Sequence, residues 1–152
     1  MPLPDFIDNV LPVGVHDCTV AEVEERFGRF QRSDRRMTLT ERLGQYLGEA
    51  RRSGVVKAVI IDGSYTTALD EPDDIDLIAV LRDDFDWTQE LKPYQSSAID
   101  RKAIRRTYRF DGFAYREGEA ELENLIAVFA TVPEKHSALT ARTHKGMVRV
   151  TL

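Results

Sequence analysis

The chain has 152 residues, 42% apolar and 31% charged, with a formal net charge of −5. That length suits one domain, which at this size buries roughly 68–70% of its unfolded surface and needs no covalent staples. The acidic balance argues against a generally basic nucleic-acid surface. The single cysteine, Cys18, rules out an intrachain disulfide and argues against a thiolate zinc site.

Residues 1–18 are rich in Pro and Gly and read as an extended N-terminal arm, with residues 19–152 as a single domain. Phe6, Ile7, Val10, Leu11, Val13 and Val15 make the arm too apolar for a free tail, so it is expected to lie against the domain or a partner. The opening Met1-Pro2-Leu3-Pro4-Asp5 has no basic leader followed by a long apolar run, and no segment has the length of a membrane span. The cytoplasm is the expected compartment, with no membrane partner.

Thr19-Val20-Ala21-Glu22 has the form of a capping box and predicts a helix to about Phe27, ending at Gly28. Ser33 or Asp34 caps a longer helix with Met37, Leu39, Leu43, Tyr46, Leu47 and Ala50 on its buried face, ending at Gly54. Val55–Ile61 and Leu77–Leu81 are short, apolar, rich in β-branched residues and bounded by turn residues, as buried strands are. Pro93 opens a helix expected to run to about Arg106, carrying Arg101/Arg105 and Lys102/Arg106 as two basic rows at helical spacing. Residues 107–115 read as a third strand, with Asp111, Phe113 and Tyr115 on one face. Residues 117–130 read as a helix with Leu122, Leu125, Ile126 and Phe129 as its apolar stripe. Residues 145–152 alternate and form a final strand. His16, His136 and His144 are read as structural or surface residues.

The chemistry lies between the first two strands. Asp62-Gly63-Ser64-Tyr65 follows one, and Pro72-Asp73-Asp74-Ile75-Asp76-Leu77 leads into the other. Alternation along a strand points Asp74 and Asp76 the same way, with Ile75 and Leu77 into the core. Two adjacent carboxylates repel, and a hard divalent ion such as Mg²⁺ or Mn²⁺ relieves that repulsion with oxygen ligands. Gly63 lets backbone approach a phosphate, Ser64 adds a hydroxyl donor, and a short helix opening at Tyr65 would turn free N–H groups to the same anion.

Gly-Ser, this spacer, then Asp-apolar-Asp-apolar resembles the signature of the DNA polymerase β-like nucleotidyltransferase superfamily. The resemblance covers residues 55–81 firmly and extends loosely to Tyr115. Leu11–His16 and Lys145–Val148 look similar to one group of small bacterial nucleotidyltransferase-like proteins, some encoded in toxin–antitoxin or phage-defence loci. Two departures stand out. Tyr65-Thr66 replaces the usual Arg-Gly pair, and Asp73 replaces the usual Ser before the first aspartate.

The resemblance implies an α/β fold, a small mixed and twisted sheet with helices mainly on one face. It implies Asp74, Asp76 and a third carboxylate, Asp111 with Asp100 as runner-up, as catalytic metal ligands. Gly63, Ser64, Tyr65 and Lys102 would contact the nucleoside triphosphate. The acceptor would be a hydroxyl of a protein partner, such as a toxin from a neighbouring gene, or of an RNA such as tRNA. Two other readings stay open: an inactive nucleotidyltransferase-fold binding subunit, and an α/β interaction domain without a nucleotide site.

Overall fold

The computed structural model describes residues 3–28 and 34–152. Among these, five strands and five α-helices build a mixed α/β fold. The strands are β1 (Val15–Cys18), β2 (Val56–Asp62), β3 (Asp76–Leu81), β4 (Asp111–Arg116) and β5 (Met147–Thr151). They form one sheet in the order β1-β5-β2-β3-β4. β2 is antiparallel to both β3 and β5, whereas β1–β5 and β3–β4 are parallel.

Alternation along the central strands splits the apolar residues between two layers. Val59 and Ile61 of β2, with Leu77, Ala79 and Leu81 of β3, join the larger core. Over that face lie the helices α1 (Val20–Phe27), α2 (Arg35–Ser53), α3 (Pro93–Ile99) and α4 (Arg101–Tyr108). Ala58, Ile60, Ile78 and Val80 point the other way, onto Leu122 and Phe129 of α5 (Ala120–Phe129). The helices therefore do lie mainly on one face, with α5 alone on the other. Each large side chain buried in these layers contributes about 1.5–3 kcal/mol. No helix among the described residues is long and apolar enough to cross a membrane.

The capping box forms as expected: Thr19 Oγ1 accepts from Glu22 N at 3.1 Å, and Glu22 Oε1 accepts from Thr19 N at 3.2 Å. The alternative cap for α2, Ser33, lies outside the described residues; Asp34 occupies the cap position without a side-chain hydrogen bond. α2 owes its position to Arg36, which is fully buried. Its guanidinium donates to the carbonyls of Phe27, Tyr65, Thr67 and Leu69. One side chain thus ties the end of α1 to the segment that follows Gly63-Ser64.

Three expectations need correction. The N-terminal residues lie against the domain as expected, with Leu3, Val10 and Leu11 buried, but they are more than an arm, because β1 is an edge strand of the sheet. The helix from Pro93 is broken at Asp100, whose backbone turns extended (ψ 123°) and whose carboxylate caps Ala103 N at 2.9 Å. The strand expected from Thr107 begins only at Asp111. α4 continues through Tyr108, which packs edge-on against Tyr46 and donates to Glu49. An apolar residue at every second position fits the end of a helix as well as a strand, and packing against α2 decides between them.

Candidate active site

Strand register assembles the site. Asp62, the last residue of β2, is paired with Asp76, the first of β3, and Asp76 is paired with Asp111, the first of β4. Paired residues on neighbouring strands point to the same face, so the three carboxylates form a row on the α5 side. Asp74, just before β3, joins them. Carboxylate oxygens of Asp74, Asp76 and Asp111 lie within 4.8 Å of one another. The row lines a cavity of about 310 Å³, closed on the opposite side by the end of α5 and the loop beyond it.

The turn between β2 and β3 is shaped by Gly63 at φ +92°. A Cβ there would stand 3.0 Å from Asp74 O and 3.1 Å from Asp76 N, so only glycine lets the two chain segments close together. Ser64 opens a short 3-10 turn, Ser64–Thr66, rather than an α-helix. Its Oγ accepts from Asp73 N at 3.0 Å, which ties the turn to the acidic segment and leaves the hydroxyl proton to donate. Ala68 N also donates to Asn9 O at 2.9 Å, so the N-terminal residues help to hold this turn.

Gly112 sets the other boundary. A Cβ there would meet Ile104 at 2.8 Å, so its absence lets α4 settle against β4. That contact brings Arg105 Nη1 to 3.4 Å from Asp74 Oδ2 and 3.9 Å from Asp111 Oδ1, while Arg101 stacks over Phe113 at 4.5 Å. Arg105 is more than half exposed, so each of these pairs contributes at most about 1 kcal/mol.

The electrostatics follow from crowding. Burial, together with Asp74, Asp62 and Asp111, pushes the Asp76 carboxyl up to about 6. Burial also raises Asp74, although Ile75 N donates to its Oδ1 at 2.8 Å and Arg105 pulls in the opposite direction. A divalent cation would relieve exactly this kind of repulsion, and an all-oxygen donor set suits Mg²⁺ or Mn²⁺. The residues therefore fit such an ion.

Asp74, Asp76, Asp111, Gly63 and Ser64 all line the cavity, as the sequence reading requires. Tyr65 does not. It is fully buried on the helical side, with its hydroxyl 2.7 Å from Thr40 Oγ1 and its ring 5.7 Å from that of Phe27. Lys102 is exposed on α4 outside the cavity lining. It is the row of Arg101 and Arg105 that reaches the carboxylates. Asp100, the alternative third ligand, is the helix cap described above.

Four ionisable lining residues were given no site role in the sequence reading: Asp62, Lys135, His136 and Lys145. Asp62 and Lys145 form an ion pair with both residues almost wholly buried, and Lys145 Nζ also donates to Phe129 O at 3.1 Å. Burial raises the Asp62 carboxyl, and Lys145 opposes the rise. The only local signal for Asp62 was a carboxylate ending an apolar strand just before Gly63. His136, read as structural or surface, is buried at the cavity wall. His16 is structural as expected, with Nε2 2.7 Å from Pro12 O.

No curated protein and no solved structure matches the chain. Residues 4–151, nearly its whole length, match the model described as Family of unknown function (DUF6932), and the chain belongs to that family.

Proposed function

We propose that this protein is a metal-dependent nucleotidyltransferase of the DNA polymerase β-like fold, moving a nucleoside monophosphate from a triphosphate to a hydroxyl. The observation that carries this reading is the convergence of Asp74, Asp76 and Asp111, with oxygens within 4.8 Å of one another, beside the Gly63-Ser64 turn. Asp74, Asp76 and Asp111 would hold Mg²⁺ or Mn²⁺. When bound, the ion neutralises phosphate charge and makes a hydroxyl a better nucleophile.

The chain's own groups do the rest. Gly63 keeps the turn open to the β- and γ-phosphates, and Ser64 Oγ–H donates to a phosphoryl oxygen. Arg105 holds the Asp74 carboxylate in place. A carboxylate oxygen of Asp111 takes the acceptor's proton. The acceptor oxygen forms a bond to the α-phosphorus, the bond from that phosphorus to the bridging oxygen of the β-phosphate breaks, and pyrophosphate leaves. The cytoplasm is the proposed setting. The acceptor is a protein partner, as in the toxin–antitoxin systems that the resemblance brings in, with RNA as the alternative.

The test uses nucleoside triphosphates labelled at the α- or the γ-phosphate, with Mg²⁺ and host-cell extract. Label from the α-position should appear on a protein or RNA, γ-label should not, and Asp74→Asn or Asp76→Asn should abolish the transfer. Triphosphate binding without transfer would favour the inactive binding subunit. Absence of both binding and transfer would remove the nucleotide site.

A further inference from the structure

The cavity wall opposite the carboxylates carries a group with no role in the scheme so far. His136 ends the short turn Glu134–His136, is 8% exposed, and has an Nε2 atom buried without a hydrogen-bond partner. A buried polar atom left unpaired is costly, and a ligand meeting it would recover that cost. His136 lines the cavity together with Lys135 and Lys145. The Lys145 ammonium has three N–H groups; Asp62 and Phe129 O take two, which leaves one for the cavity.

The surroundings of the ring indicate the chemistry of its ligand. Burial, Lys135 and Lys145 hold the imidazole below the ordinary histidine value, with Asp73 opposing them, so the ring is neutral near pH 7. A neutral ring beside two ammonium groups is a poor place for a metal cation and a good one for an anion. His136 lines the same cavity as Gly63 and Ser64, the turn that Asp73 N ties down through Ser64 Oγ. The wall is also held in place. Asp8 Oδ2 accepts from Thr140 Oγ1 and Ala141 N at 3.0 and 2.8 Å, and Asn9 Nδ2 donates to Leu139 O at 2.8 Å.

We propose that Lys135, His136 and Lys145 form the phosphate-binding wall of this cavity, with His136 Nε2–H donating to a phosphoryl oxygen of the triphosphate tail seated on Gly63-Ser64. This rests on the nucleotide reading above and adds the direction in which the substrate lies: phosphates towards the loop after α5, reacting α-phosphate towards the aspartates.

The test is calorimetric titration of the full chain, with Mg²⁺, using inorganic tripolyphosphate, ATP and AMP. His136→Ala should weaken tripolyphosphate and ATP roughly ten- to hundredfold, the value of one hydrogen bond to a charged group, and leave AMP unchanged. His136→Gln, which keeps an N–H donor at a similar reach, should recover most of that loss. Should His136→Ala fail to fold, His136→Leu keeps the volume and reads the same loss. Unchanged affinities in the variant would overturn the phosphate wall and leave the nucleotide reading standing. Loss of ATP and AMP binding with tripolyphosphate unaffected would overturn it too, because His136 would then face the nucleoside. Histidine-dependent binding of tripolyphosphate without binding of ATP or any other nucleoside triphosphate would keep the wall and remove the nucleotide reading. No binding of any probe by the wild type would remove both.

Discussion

Replacing Lys145 by Met tests whether the Asp62–Lys145 pair supports one end of the carboxylate row. Both residues are at most 3% exposed, and Met retains most of the apolar stem, so the substitution mainly removes the ammonium. Asp62 is then a buried carboxylate without its cation, and Phe129 O loses a donor. Breaking a buried pair this way costs about 3–5 kcal/mol. The cavity lets water reach Asp62, which puts the expected cost near the lower end, about 3 kcal/mol. For a chain of this size that lowers the melting temperature by roughly 6–12 °C. Asp62→Asn should cost less, about 1–2 kcal/mol, because Lys145 can turn to Asp76, whose charge it already offsets. The double variant should return to within about 1 kcal/mol of wild type, giving a coupling energy of about 3 kcal/mol or more. The cost should also depend on pH. Without Lys145, burial alone raises the Asp62 carboxyl. A carboxyl raised on folding contributes its stability below its unfolded value and loses it as pH rises through the folded value. The Lys145→Met deficit should therefore be small near about pH 4 and fully developed near neutral pH. Equilibrium urea unfolding of all four proteins in chelator, across that range, is the assay. A deficit below about 1 kcal/mol, or one that does not change with pH, would refute this account of the pair.

Asp76→Asn should leave stability near that of wild type below about pH 4 and raise it by about 2 kcal/mol above about pH 6, in chelator, because the raised Asp76 carboxyl loses its contribution as pH rises through about 6. Melting curves against pH check this, and a difference that is flat with pH would count against repulsion within the row. Gly63→Ala should cost about 1–3 kcal/mol, since its Cβ would press on Asp74 O and Asp76 N at a positive φ. Gly44→Ala, where a Cβ meets nothing within 4 Å in mid-α2, should stabilise by about 0.5–1 kcal/mol. Equal melting temperatures for these two variants would show that the turn is not constrained as described.

Much of the framework could be read in the sequence because it is written locally. The apolar runs at β2 and β3, the Thr19/Glu22 capping box and the Asp74-Ile75-Asp76 alternation each depend on residues a few positions apart, and each appears where local spacing puts it. The same locality explains what was misplaced. Tyr65 follows Gly63-Ser64 in sequence, but the turn swings its ring into the core, where Arg36 and Thr40 from α2 receive it. Lys102 and Arg105 look equivalent on a helical pattern. Only the close seating of α4 on Gly112 decides that the Arg105 row reaches the carboxylates. The full row needs the register of three strands, which places Asp62, Asp76 and Asp111 side by side. Its cation comes from Lys145, 83 positions from Asp62, and the cavity wall comes from a loop fastened by Asp8 and Asn9. Periodicity determines which face a residue takes within its own element. What stands opposite that face is decided only when distant segments pack, because burial and charge pairing act through space rather than along the chain.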